Sequence, residues 1–71
     1  MKAFILIETT PGKARQVTTA LKQLHGVKSA DVVTGPYDVI AVLEAENMTN
    51  IATAKIKAIP GISRTVVCMT E

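Results

Sequence analysis

A strand–helix–strand unit occurs twice in this chain, and that repetition leaves few folds open. A displacement of 35 positions, from Gly26 to Gly61, carries Gly26-Val27 onto Gly61-Ile62, and Leu21 and Leu24 onto Ile56 and Ile59. It also lays Phe4-Ile5-Leu6-Ile7 over Val39-Ile40-Ala41-Val42. Right-handed crossovers make the two strands of each copy parallel. Interleaving the copies then gives one antiparallel sheet of order 4-1-3-2 with both helices on one face. The expected fold is therefore α+β, a ferredoxin-like βαββαβ domain spanning residues 1–71.

Local signals set the elements. Residues 2–8 alternate between two apolar sets, Ala3, Ile5 and Ile7 against Phe4 and Leu6. Thr10-Pro11 reads as the N-cap and first residue of a helix. Its buried stripe is Val17, Ala20, Leu21 and Leu24, and His25-Gly26 closes it. Residues 27–34 and 38–45 form the next two strands. Asn47 or Thr49 caps a second helix with the stripe Met48, Ala52, Ile56 and Ile59. Pro60-Gly61 ends that helix, residues 62–69 form the last strand, and Thr70-Glu71 should fray.

A chain of 71 residues makes one small domain, which buries only about 60% of its unfolded surface and gains from self-association. Its free sheet face points the same way. The two central strands are apolar on both faces, whereas a sheet face left to water reads polar at alternate positions. Phe4, Leu6, Ile40 and Val42 therefore predict an association surface, covered by a second copy packed sheet against sheet.

Several function classes are disfavoured. The net charge is only +2 and the Lys and Arg residues are scattered, so direct binding to duplex DNA is not expected. Phe4 and Tyr37 are too few aromatics for single-strand stacking platforms. No apolar run approaches the roughly 20 residues of a membrane span, and Met1 leads almost directly into a strand without a signal-peptide layout, so a cytoplasmic location is expected. Cys68 reads as a buried strand cysteine. The order 4-1-3-2 puts it and His25 on opposite edges, three strand spacings or roughly 14 Å apart, which removes the one candidate nucleophile–base pair. Glu8, Glu44 and Glu46 read as solvated strand-end charges. With no metal-ligand spacing and no glycine-rich phosphate loop, neither an enzyme nor a bound cofactor or metal is expected.

Thr34-Gly35-Pro36-Tyr37-Asp38 divides the two copies. Gly and Pro make it a hairpin turn. A turn does not require the Tyr-Asp pair, although Asp38 could simply bond nearby backbone. The topology brings this turn together with Thr9-Thr10-Pro11-Gly12 and Gly61-Ile62-Ser63-Arg64 at one end of the sheet. A helix start there suits a carboxylate, Asp38 suits an ammonium and Tyr37 can cover an apolar side chain, a reception fitted to an amino acid.

The Gly-x-Tyr-Asp turn, the first strand before it and the Ile59-Pro60-Gly61-Ile62 segment after it resemble the Lrp/AsnC family, specifically its effector-binding RAM domain. The resemblance covers essentially the whole chain. It implies dimers closing into an α+β barrel, assembly into tetramers of dimers, and amino-acid effectors bound near the turn. The matching positions are Gly35, Tyr37 and Asp38, with Thr65 a further candidate in the opening of the last strand. Full-length members carry an N-terminal DNA-binding helix-turn-helix. This chain starts at the first RAM strand, so a stand-alone RAM protein is expected, bearing on transcription through co-assembly with full-length regulators. Two alternatives stand beside it, an ACT-like regulatory subunit of an amino-acid enzyme and a purely structural dimeric module.

Overall fold

The computed structural model describes residues 1–71, apart from the side chain of Ile51. The chain runs β1 (Lys2–Thr9), α1 (Ala14–Lys22), β2 (Val27–Val32), β3 (Val39–Glu44), a 3-10 turn over Ala45–Asn47, α2 (Asn50–Lys57) and β4 (Ile62–Met69). The strands form one antiparallel sheet in the order β2-β3-β1-β4, the expected order read from its other edge. This is the ferredoxin-like arrangement.

The core lies between the sheet and the helices. Ala3, Ile5 and Ile7 of β1 and Val39, Ala41 and Leu43 of β3 are buried against Val17 and Leu21 of α1, with Ile56 of α2 and Ile59 just beyond it. Each of the larger side chains contributes about 1.5–3 kcal/mol by leaving water. Ala20, Leu24 and Met48 pack at the margin of this cluster.

The repeat is less regular than the sequence implies. The 35-residue displacement would lay Phe4 over Val39, yet Val39 is buried under the helices and Phe4 lies on the opposite face. Matching faces needs a displacement of 36, from Ala3 to Val39, because one residue of slip turns every strand side chain over. The 35-residue displacement does hold where each copy turns into its edge strand. Leu24-His25-Gly26-Val27 and Ile59-Pro60-Gly61-Ile62 close through Val27 N–H to Leu24 O (3.3 Å) and Ile62 N–H to Ile59 O (3.4 Å). Both have glycine at positive φ in third place, +94° and +99°.

Three boundary expectations are corrected. Helix α1 begins at Ala14, and neither Thr10 nor Pro11 belongs to it. Thr10-Pro11-Gly12-Lys13 forms a separate turn closed by Lys13 N–H to Thr10 O (3.1 Å), with Gly12 at φ +80°. Proline followed by a positive-φ glycine is type II turn chemistry, and it prevails over the helix-start signal. The same helix ends at Lys22, so His25 and Gly26 belong to the following turn and do not cap it. Thr70 is not frayed: its N–H reaches Lys2 O at 2.9 Å and its hydroxyl accepts from Lys2 N at 2.7 Å. For α2 the Thr49 alternative is the one realised, its Oγ1 accepting from Ala52 N–H at 3.1 Å.

On the face without helices, Ile40–Leu6–Val66 and Val42–Phe4–Cys68 lie in two cross-strand rows. All are half-buried except Cys68, which is exposed rather than buried as its strand setting suggested. Edge strand β4 has no neighbour beyond it, and no helix covers this face. Ser29 and Asp31 of β2 continue the rows with polar groups. Two ion pairs mark the ends, Arg64–Glu8 at 3.4 Å and Lys28–Glu44 at 2.8 Å.

Candidate functional site

The β2–β3 connection, β1 and the α2–β4 turn converge at one end of the sheet. Val33 N–H donates to Asp38 O (2.9 Å) and Asp38 N–H to Ile7 O (2.9 Å), so Thr34–Tyr37 forms a loop seated on the end of β1. Gly35 takes φ +152°, outside the range that other residues favour, and open space surrounds the position of its missing Cβ. Its glycine requirement is one of backbone conformation, not of crowding. Tyr37 and Asp38 are half-buried, while Gly35 is exposed.

Asp38 is the fixed point of this arrangement. Its Oδ2 accepts from Thr9 N–H at 2.8 Å and from Thr9 Oγ1 at 3.3 Å. No described residue donates to Oδ1. No buried side-chain oxygen among the described residues lacks a partner, so Oδ1 reaches solvent. Asp38 thus bonds backbone, as a structural carboxylate would, and still presents a second oxygen outward.

A β-bulge shapes the far side. Glu8 pairs with Arg64 but Thr9 pairs with Ile62, which leaves Ser63 as the extra residue on β4. Ser63 Oγ donates to Glu8 O at 3.0 Å and Thr10 N–H donates to Gly61 O at 2.8 Å. Thr9 and Thr10 therefore tie the Asp38 loop to the α2–β4 turn. Bulges of this kind re-aim side chains beside functional sites. Sequence reasoning takes this segment as a helix start and misses Thr9, which no composition signal distinguishes.

Thr65 is placed apart from the other three candidates. It pairs with Ile7, whose other neighbour is Val39, so two strand spacings, roughly 9–10 Å, lie between it and Val39, where the loop enters β3. Thr65 lines a separate surface depression with Lys57, Ile62, Ser63 and Arg64. Other depressions are lined by His25, Glu46, Asn47, Thr49, Ala52 and Lys55, and by residues of α1 and β2. The Gly35–Asp38 loop lines none of these; its Gly35 and Pro36 are exposed and its Tyr37 and Asp38 half-buried. Among the described residues no cluster of three His, Cys, Asp or Glu side chains could hold a metal, and no helix is long and apolar enough to cross a membrane.

The hydrogen bond from Lys28, reinforced by its charge, holds the Glu44 carboxyl below its usual range at the end of the sheet away from the loop.

The family model for the Lrp/AsnC ligand binding domain matches residues 2–70. No curated protein matches the chain. Among solved structures, TTHA0845 from Thermus thermophilus superposes with a TM-score of 0.87 at 27% identity, covering 99% of this chain and 91% of that one. FFRP-DM1 gives a TM-score of 0.84 at 36% identity, covering 99% and 97%. AsnC from E. coli shares the fold, with a TM-score of 0.82 at 20% identity, and this chain covers 49% of its length. By fold, length of match and sequence, the chain belongs to the Lrp/AsnC ligand binding domain family.

Proposed function

We propose that this chain is an amino-acid sensing and self-assembling module, taking its effector beside the Gly35–Asp38 loop and pairing with a second copy through the free sheet face. The observation that carries the reading is the Asp38 carboxylate, anchored on one oxygen and open on the other, beside a half-buried tyrosine. An anchored carboxylate suits the ammonium of an amino acid, and Tyr37 offers its ring to the side chain. The loop lines none of the depressions described above, so in this reading a neighbouring copy supplies the rest of the pocket. For pairing, the support is the apolar block of Phe4, Leu6, Ile40, Val42 and Val66, bordered on the β2 side by Ser29 and Asp31.

The ligand-binding domain acts by sensing and assembly, homo-oligomeric or mixed with other Lrp/AsnC regulators. A thermal-shift screen of the twenty L-amino acids, with light scattering at micromolar concentration, tests both halves. At least one amino acid should raise the melting temperature of a dimer or larger species. A flat screen refutes the sensing half, and a stable monomer refutes the assembly half.

A further inference from the structure

We propose that Thr9 is a positioning residue of the effector site, holding Oδ2 of Asp38 so that Oδ1 is the oxygen offered to the effector's ammonium. This rests on the sensing function proposed above and assigns its mechanism. Thr9 N–H and Oγ1 both point at the same carboxylate oxygen, at 2.8 and 3.3 Å, and Oδ1 has no donor among the described residues. A carboxylate held on one side cannot rotate to satisfy a ligand from either oxygen. Thr9 thereby fixes the direction from which an ammonium can approach.

Thr9 is available for this role because the pairing of β1 with β3 ends at Ile7 and Val39, which leaves its N–H without a ladder partner on that side. On the other side pairing with β4 resumes at Thr9 and Ile62 beyond the bulge, and Thr10 N–H with Gly61 O holds the end of β1 in place. The loop carrying Tyr37 is tied to the same point through Asp38 N–H and Ile7 O. Orientation of the charge and placement of the ring are therefore set together by the last residues of β1.

Substitutions at both ends of the contact separate anchoring from recognition. Asp38→Asn keeps an oxygen for Thr9 N–H, but turns an amide NH2 toward the ammonium. Thr9→Val keeps the shape and the N–H while removing the hydroxyl, and Thr9→Ser restores a hydroxyl. Two readouts are needed: calorimetric affinity for each amino acid that raises the wild-type melting temperature, and exchange of the Thr9 amide proton without ligand.

The Thr9 amide should exchange slowly in wild type and Asp38→Asn, and faster in Asp38→Ala. Asp38→Asn should nonetheless bind at least tenfold more weakly than wild type. Thr9→Val should lose roughly three- to tenfold in affinity, less than the loss of a direct charge-assisted contact because the hydroxyl acts only through the orientation of Asp38, with Thr9→Ser near wild type. Wild-type affinity in Thr9→Val, or in Asp38→Asn, overturns the proposal while leaving amino-acid sensing intact. If wild type itself binds none of the twenty, sensing fails first and the assignment of Thr9 falls with it.

Discussion

At the scale of residues, one carboxylate orders a loop and carries a charge. The partly buried bonds from Thr9 to Asp38 are charge-assisted, a class that contributes about 1.5–3 kcal/mol. Asp38→Ala removes them together with the charge facing solvent. It should lower stability by about that amount in denaturant titration and weaken amino-acid affinity roughly tenfold to a hundredfold. Wild-type stability and affinity in that variant would reduce the loop to a simple connection. A second residue-scale effect lies at the other end of the sheet. Lys28 depresses the Glu44 pKa, so the pair's small, solvent-screened stabilisation is present above the ordinary glutamate value of about 4.3 and disappears as pH falls through the folded value. In Lys28→Met the Glu44 carboxyl should titrate at higher pH by NMR; an unchanged midpoint would mean the contact does not persist in solution.

Elements show where sequence signals sufficed and where they competed. Strand β4 lies where its apolar run and the preceding Pro-Gly put it, and Thr49 caps α2 as its position before that helix suggested. Helix α1 differs because Thr10-Pro11-Gly12 carries two messages, and the type II turn prevails over the helix start. The candidate site was legible to the same uneven degree. Gly35, Tyr37 and Asp38 stand out by residue type, while Thr9 depends on where the pairing of β1 with β3 ends and Thr65 on which side of β1 a strand pairs. Thr49, which caps a helix, and Thr10, which does not, make the distinction measurable. Thr49→Ala loses the bond to Ala52 N–H and should destabilise the fold by about 0.5–2 kcal/mol. Thr10→Ala keeps both backbone bonds and should stay within about 0.5 kcal/mol of wild type. Equal losses in the two variants, measured by thermal unfolding, would contradict the corrected start of α1.

The whole molecule is a sheet covered on one side. Its uncovered side holds Phe4, Leu6, Ile40, Val42 and Val66 in register across three strands, a hydrophobic centre that a second sheet would bury. Phe4→Lys or Ile40→Lys places a charge there and should yield monomer or aggregate by light scattering, with wild type dimeric or larger; wild-type assembly in both variants would move the interface elsewhere. In the proposed reading, sensing and assembly meet at the Gly35–Asp38 loop, where a neighbouring copy would complete the pocket. The most direct test is a crystal structure grown with an amino acid that raises the melting temperature. The account predicts density for it beside Tyr37, its ammonium on Oδ1 of Asp38, at a junction between copies. Density lodged instead among His25, Glu46 and Lys55, with the Gly35–Asp38 loop bare, would contradict it.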